Sequence, residues 1–246
     1  MFELLERQET AQLKEAISAA NNIVICAHKS PDGDAIGSTL AWKHFLQQQG
    51  KQNVKVCYPD ATPDFLQWLP GFKETLRYDR QTIQVKQAFN NADLVFYLDF
   101  GQSSRTEDMQ TVLDTCQAPI ILIDHHLQPK GNYLLQASFT QLSSTSEIIF
   151  NLIYQLGGYD NMTKACAECI YCGMMTDTGG FTYNSTRPEI FSIISFFFQK
   201  NNNKEKIYKK RFFKYFKKTF PPPFFILFIT NKNTEKTHAC NLYIYQ

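Results

Sequence analysis

The chain lacks any run of about 18 consecutive apolar residues, so the sequence predicts no membrane-spanning helix. It also lacks a secretory signal, because residues 1–6 are acidic and polar and contain neither a cationic nor an apolar region. Seven cysteines in 246 residues are too few for a disulfide scaffold. We therefore expect a cytoplasmic protein with reduced thiols and no membrane partner.

Disordered and collagen-like classes are excluded as well, since 43% of the residues are hydrophobic and only 20% are charged. The length suits one large α/β domain, or one and a half smaller ones, with a substantial core. The formal net charge of +2 is unevenly distributed. Residues 199–246 carry 11 Lys or Arg and 2 Glu. Residues 1–198 carry 14 Lys or Arg and 21 Asp or Glu. Such an asymmetry usually indicates a basic nucleic-acid arm or a separate domain.

Short apolar runs alternate with helical patterns along most of the chain. The runs predicted as strands cover residues 23–27, 54–58, 94–98 and 119–123. The helical patterns cover residues 3–20, 35–49, 82–91, 145–156 and 163–175. Because continuous apolar runs are typical of strands buried on both faces, we predict an α/β fold, a parallel sheet with helices on both faces.

Acidic and histidine residues gather just beyond the predicted strands, at the edge where open α/β sheets bind ligands. The segments are His28-x-x-x-Asp32-x-Asp34, Asp99, Asp124-His125-His126 and Asp177. Carboxylates and imidazoles without a thiolate favour Mn²⁺ or Mg²⁺ and leave Fe²⁺ or Zn²⁺ open. Clustered carboxylates repel one another unless cations neutralise them. Two divalent ions about 3.5–4 Å apart would do so and would serve phosphoryl transfer.

Each segment also has a purely structural interpretation. Asp34 or Asp124 alone is typical of a helix N-cap, and Asp177 alone is typical of a turn. A single histidine pair is more often structural than ligating. The occurrence of all four segments in one chain nevertheless favours a metal site. Three cysteines within residues 166–172 suggest an iron–sulfur pattern, but their helical context fits buried free thiols better.

With these segments the chain resembles the DHH phosphoesterase family of RecJ-like proteins. The resemblance rests on His28–Asp34 followed by Ala35-Ile36-Gly37-Ser38, on Asp99, on Asp124-His125-His126 and on Asp177. Supporting residues are Ser144-Thr145-Ser146-Glu147 and Tyr171-x-Gly173-x-Met175-Thr176-Asp177-Thr178-Gly179. The resemblance spans about residues 1–190, expected to be the catalytic domain, and is nearest to the bifunctional oligoribonuclease and 3′-phosphoadenosine 5′-phosphate phosphatase branch.

The resemblance implies a site with two Mn²⁺ ions, with Mg²⁺ or another divalent cation as the alternative. In that arrangement one ion has two ligands, His28 and Asp32. The other ion has Asp34 and His125. Asp99 bridges the two ions. Asp177 either binds an ion directly or lies just outside the ligands of the two ions.

The resemblance also implies catalytic and substrate-binding roles. His126 would contact the phosphate or protonate the leaving group, and Asp124 would orient a histidine. Arg105 would bind a phosphate through its guanidinium, although a surface arginine is nearly as good an interpretation. Ser144 and Thr145 are candidate substrate-binding residues.

The implied reaction is hydrolysis of short oligoribonucleotides, as a 3′–5′ exonuclease, and of 3′-phosphoadenosine 5′-phosphate through a water activated by two metals. Short oligoribonucleotides and nucleotide phosphates are therefore the expected partners, and a homodimer is compatible with the sequence. One alternative is a pyrophosphatase or cyclic-dinucleotide phosphodiesterase on the same core. Another is an inactive, truncated nucleotide-binding relic.

The sequence changes its character after about residue 190. Of the 21 phenylalanines, 11 follow that residue, and runs of Phe, Asn, Lys and Pro replace helical or strand periodicity. A Gly-Gly-Gly-His-type motif, which the family carries in a second domain, is absent. We interpret residues 191–246 as a frameshifted translation, with the C-terminal substrate domain missing or degraded. The alternative is a basic, aromatic nucleic-acid arm.

Overall fold

A six-stranded parallel sheet forms the centre of the protein in a computed structural model that describes residues 3–199. The strands are β1 (Asn22–Cys26), β2 (Asn53–Tyr58), β3 (Leu76–Arg77), β4 (Leu94–Leu98), β5 (Ile120–Asp124) and β6 (Leu135–Ser138). They lie in the order β3-β2-β1-β4-β5-β6, and every neighbouring pair is parallel.

Helices connect these strands. The α-helices are α1 (Arg7–Ala19), α2 (Gly33–Gln48), α3 (Thr82–Asn90), α4 (Gln110–Thr115), α5 (Thr145–Gln155), α6 (Lys164–Asp177) and α7 (Pro188–Gln199). Short 3₁₀ segments cover Asp64–Leu66, Phe72–Glu74 and Ser103–Met109. None of the helices within residues 3–199 has the length and apolar character needed to cross a membrane.

Side chains from both faces of the sheet are buried in two apolar clusters. In β1, Ile23 and Ile25 belong to the larger cluster, which is covered by α1, α2, α5, α6 and α7. Val24 and Cys26 point to the smaller cluster, which α3 and α4 cover. The side chains on both faces of this strand are therefore buried, which explains why the run is apolar throughout. The predicted α/β fold with helices on both faces is confirmed.

Close contact between α2, α5 and α6 depends on glycine. A Cβ atom added to Gly37 of α2 would lie 2.6 Å from the carbonyl oxygen of Cys169 in α6. One added to Gly173 of α6 would lie 2.9 Å from Asp34 Oδ1 and would also overlap Ser146 of α5. Both positions need glycine because a larger residue would push these helices apart. The cysteines of α6 are free and buried, as expected.

Helix α7 corrects one expectation from the sequence. The sequence suggested no helical period beyond residue 190, yet residues 188–199 form a helix with four buried apolar residues, Ile190, Ile193, Phe196 and Phe197. Their spacing of three and four residues is that of one helix face, and the contiguous phenylalanines conceal it. The predicted domain boundary at residue 190 falls inside this helix. The rest of the proposed frameshifted tail, residues 200–246, lies outside the described residues.

Candidate metal centre

The acidic and histidine segments meet at one edge of the sheet. His28 follows β1 and Asp99 follows β4, and these neighbouring strands lie where the strand order reverses direction. Asp124 is the last residue of β5, and Asp177 is the last residue of α6. Open α/β sheets form their ligand crevice at such a switch point, because the loops on either side diverge there.

Asp99 lies at the middle of the cluster and is only 2% exposed. Its Oδ2 lies 3.5 Å from His28 Nε2, and its Oδ1 lies 3.5 Å from His125 Nε2. The backbone of Asp99 adopts a φ of 68°, a left-handed conformation that Asp tolerates better than most residues. The two carboxylate oxygens therefore face histidines on different sides, as a bridging ligand requires.

Three groups of side chains offer ligand atoms that lie within 4.8 Å of one another. The groups are His28, Asp32 and Asp99; Asp34, His125 and Asp177; and Asp99, His125 and His126. The first two groups contain all six residues that the sequence predicted as metal ligands, and the expected pairs His28–Asp32 and Asp34–His125 fall in different groups. The structure thus brings these residues together, while their coordination of a metal stays a prediction.

When ionised, the carboxyl groups of this cluster would carry more negative charge than the described protein groups neutralise. Burial, followed by repulsion from Asp34 and Asp32, holds the pKa of Asp99 well above its usual value. Burial and the neighbouring aspartates also raise the pKa of Asp177 to about 9. Within residues 3–199 the ion-pair partners of Asp99 and Asp177 are histidines, with no Lys or Arg among them. Divalent cations would supply the missing positive charge, so the donor set fits them.

The start of α5 holds two of the carboxylates. The N–H groups of Thr145 and Ser146 donate to the two oxygens of Asp34 at 2.6 and 2.8 Å. The Thr145 hydroxyl donates to Asp99 Oδ1 at 3.0 Å. Free N–H groups and the helix dipole make this helix end favourable for negative charge. Burial raises the pKa of Asp34, and the nearby His125 and the hydrogen bonding from Ser146 oppose the rise.

Ser144 and Thr145, expected as substrate-binding residues, are both fully buried. The Ser144 hydroxyl accepts a hydrogen bond from the Glu147 N–H at 3.1 Å and thereby caps α5. The Thr145 hydroxyl is bound to a carboxylate, as described above. The contacts seen in the structure are thus with the protein, and the substrate-binding role stays a prediction.

Asp124 and His126 form a hydrogen-bonded pair. Asp124 Oδ1 lies 2.8 Å from His126 Nδ1 and also accepts from the His126 N–H at 3.2 Å. The hydrogen bond to Asp124 raises the pKa of His126, whereas burial opposes the rise. The imidazole is thereby held through Nδ1, and Nε2 takes no part in this pair. The catalytic roles of His126 and Asp124 stay predictions.

Arg105 lies at the rim of the site in the 3₁₀ segment Ser103–Met109 and is exposed. Its carbonyl oxygen accepts a hydrogen bond from the Lys29 N–H at 2.9 Å, which ties this segment to the residue after His28. The positive charge of Arg105 is close enough to lower the pKa of His126, against the effect of Asp124. Its binding of a phosphate stays a prediction.

One buried ion pair near the site was not assigned a role from the sequence. Glu147 of α5 is fully buried, forms an ion pair with Arg187, and accepts hydrogen bonds from the N–H and hydroxyl of Ser143 at 2.8 and 2.7 Å. The Ser-x-x-Glu pattern at residues 144–147 is that of a capping box, and it signals a carboxylate that turns back to the helix start. The pattern does not predict the ion pair with Arg187, because that residue lies 40 positions away in the chain.

Comparison with known proteins shows a match to one family model and to several relatives of known name. The family model described as DHH family, N-terminal domain, matches residues 22–174. The bifunctional oligoribonuclease and PAP phosphatase NrnA of Thermus thermophilus is 31% identical over 172 residues, which are 70% of this chain and 48% of that protein. The cyclic-di-AMP phosphodiesterase GdpP of Bacillus subtilis is 28% identical over 181 residues, 69% of this chain and 27% of that protein.

A solved structure also resembles this chain in fold and sequence. The crystal structure of an exopolyphosphatase-related protein from Bacteroides fragilis superposes with a TM-score of 0.83 at 42% identity, covering 86% of this chain and 62% of that one. The chain thus spans about half the length of NrnA and under two thirds of this structural relative. The similarity therefore covers only part of each of these proteins.

Proposed function

Since the chain belongs to the DHH family, we propose that it is a divalent-metal-dependent phosphoesterase acting on short oligoribonucleotides and on 3′-phosphoadenosine 5′-phosphate. The observation that carries the proposal is the convergence of three histidines and four aspartates in three overlapping ligand groups, with a fifth aspartate, Asp124, hydrogen-bonded to one of the histidines. The likeness to NrnA, whose name gives both activities, supports the choice of substrates.

Two Mn²⁺ ions are the proposed cofactors. His28, Asp32 and Asp99 would hold one ion, and Asp34, His125 and Asp177 would hold the other. Asp99 would bridge the two, since its oxygens lie near both His28 and His125. When bound, such ions lower the pKa of water and stabilise the negative charge that develops on a phosphoryl group. Carboxylate and imidazole ligands together suit Mn²⁺, although Mg²⁺ would accept the same carboxylates.

The protein's own groups supply positioning and proton transfer. Asp124 holds His126 through Nδ1, so that Nε2 can contact the phosphate or give a proton to the leaving oxygen. Arg105 would bind a non-bridging phosphate oxygen from the rim of the site. The start of α5 keeps Asp34 and Asp99 oriented for the cations, so the ligand geometry does not have to form during the reaction.

The test is an assay of the full chain with Mn²⁺ against ribo-oligonucleotides of two to five nucleotides and against 3′-phosphoadenosine 5′-phosphate. We expect release of mononucleotides or phosphate, and we expect chelation to stop it. Binding of Mn²⁺ without turnover of any of these substrates would contradict the proposal and would favour an inactive nucleotide-binding protein.

Hydrolysis of cyclic or linear dinucleotides is a second candidate, favoured by the likeness to GdpP. The same assay distinguishes the two when cyclic di-AMP, its linear product and pyrophosphate are included. Preference for the cyclic dinucleotide would select the second candidate, and preference for pyrophosphate would select a pyrophosphatase. The cytoplasmic location and a homodimeric state stay predictions from the sequence.

A further inference from the structure

The segment between α6 and α7 presents an exposed aromatic ring six residues after Asp177, one of the candidate metal ligands. Tyr183 is 59% exposed. Phe181, two residues earlier, instead packs against Tyr171 with ring centroids 5.5 Å apart. One aromatic side chain of this segment thus anchors it to the core, and the other is directed to the solvent.

The position of Tyr183 is set from two sides. Its ring lies against Gly179, where an added Cβ atom would come within 2.8 Å of the Tyr183 Cδ1 atom. Gly179 follows Asp177 by two residues, a span of at most about 7 Å. On the other side, Asn184 Nδ2 lies 3.5 Å from the carbonyl oxygen of Ser143. Ser143 precedes Thr145, which binds both Asp34 and Asp99. Tyr183 therefore lies at the rim of the metal cluster.

The backbone around Tyr183 is tightly folded. The carbonyl oxygen of Thr178 accepts from the N–H groups of Thr182 and Tyr183 at 2.9 and 3.2 Å, and the Thr178 hydroxyl accepts from Phe181 at 3.0 Å. Gly179, Gly180, Phe181 and Asn184 all have positive φ, between 48° and 78°. A segment constrained in this way loses little further freedom when a ligand packs against its ring.

We propose that Tyr183 is a stacking platform for the nucleobase attached to the phosphate that is hydrolysed. This inference rests on the proposed function, since the substrates named there carry a base beside each phosphate. Stacking on an aromatic ring accepts every base, because every base has a π face. An aromatic ring at the rim of a phosphate-binding site would therefore bind short oligonucleotides of any sequence. Hydrogen bonds to base edges would instead select particular bases.

Binding can be measured separately from turnover with a diribonucleotide that contains 2-aminopurine and a non-hydrolysable linkage. Its fluorescence falls when the base stacks. With Mg²⁺ present, we expect Tyr183→Ala to weaken binding of this probe by about 5- to 100-fold and to remove the quenching. Tyr183→Phe keeps the ring and should bind and quench like the wild type. An abasic diribonucleotide should bind equally to the wild type and to Tyr183→Ala.

Tyr154 provides a matched control. It is a tyrosine that is 41% exposed on α5, nine residues from Thr145 and so about 13 Å along the helix from the metal cluster. Tyr154→Ala should leave binding and quenching of the probe unchanged. Equal effects of the two alanine variants would overturn the proposal, since they would reflect a general loss of packing.

The outcomes separate this proposal from the proposed function. Wild-type hydrolysis of ribodinucleotides with unchanged probe binding in Tyr183→Ala would overturn stacking and leave the phosphoesterase intact. Absence of hydrolysis with probe binding that depends on Tyr183 would overturn the phosphoesterase and support stacking. Failure of the wild type to bind or quench the probe would overturn stacking, whatever the hydrolysis assay shows.

Discussion

The hydroxyl of Thr145 donates a hydrogen bond to Oδ1 of Asp99 across 3.0 Å, and both residues are buried. The N–H of Thr145 donates at the same time to Asp34 Oδ2 at 2.6 Å. One residue at the start of α5 therefore orients two carboxylates that arrive from different parts of the chain. The orientation exists in the protein itself, before a cation is added.

Thr145→Val tests this link, because it removes the hydroxyl and keeps the branched shape and the N–H. Loss of a hydrogen bond to a metal ligand usually costs about 10–100-fold in metal affinity or activity. We expect a decrease of that size in Mn²⁺ affinity, measured by calorimetric titration, and in hydrolysis. Thr145→Ser, which retains the hydroxyl, should restore most of both. Wild-type Mn²⁺ affinity in Thr145→Val would show that the hydroxyl is dispensable.

Asp99→Asn should separate metal binding from the stability of the metal-free protein. Asparagine tolerates the positive φ of 68° at this position, so the backbone need not change. Without the carboxylate, we expect Mn²⁺-dependent hydrolysis to disappear. The metal-free variant should nevertheless have a higher thermal midpoint than the metal-free wild type, because it has no buried charge beside Asp34.

Addition of Mn²⁺ provides the complementary measurement. The thermal midpoint of the wild type should rise with the concentration of Mn²⁺, since a ligand of the folded state stabilises it. That of Asp99→Asn should respond much less. Full phosphoesterase activity in Asp99→Asn would be incompatible with the proposed metal centre.

His44 gives the protein a pH-dependent stability that does not involve the metal site. It lies on α2 with Nε2 3.0 Å from the carbonyl oxygen of Pro70, and burial lowers its pKa below the usual value of about 6.5. When the pH falls through 6.5, the unfolded chain takes up the proton before the folded protein does. The free energy of unfolding therefore decreases as the solution becomes more acidic.

His44→Gln isolates this contribution, because glutamine keeps a hydrogen-bond donor and does not titrate. Urea denaturation of both proteins between pH 7 and pH 5 measures it. We expect the wild type to lose stability relative to the variant over that range. Parallel curves would show that His44 has the same proton affinity in both states.

The strands and the cluster of acidic and histidine residues could be predicted because each is marked by residue type along a short stretch of chain. The run at residues 23–27 is apolar throughout since the strand is buried on both sides. Strands β3 and β6 contain only two and four residues and have too few positions to show a pattern. Helix α7 was missed because its phenylalanines occupy both faces.

The contacts that orient the site could not be predicted in the same way. The bonds from Thr145 and Ser146 to Asp34 join residues 111 and 112 positions apart, and the donors are backbone N–H groups. Every residue except proline has such a group, so no residue type marks those that bind a carboxylate. The position of α5 depends on its packing against α2 and α6, which the glycines of those helices permit.

The pair of Glu147 and Arg187 should stabilise the protein by joining the start of α5 to the segment that precedes α7. Glu147 is fully buried, whereas the Arg187 side chain is 28% exposed. Arg187→Met leaves a buried carboxylate with only the Ser143 donors. Breaking a fully buried pair costs about 3–5 kcal/mol, and the partial exposure of the arginine reduces the expected loss to about 2–3 kcal/mol.

A double-mutant cycle in urea separates the charge from the packing. Because Glu147→Gln removes the charge that Arg187→Met leaves unpaired, the double variant should be more stable than Arg187→Met alone. Additive effects of the two substitutions would mean that the carboxylate and the guanidinium do not interact in solution. The Mn²⁺ affinity of Arg187→Met provides a further comparison, since a displaced α5 would also disturb the N–H groups that bind Asp34. We expect that affinity to fall, whereas a purely local loss of the ion pair would leave it unchanged.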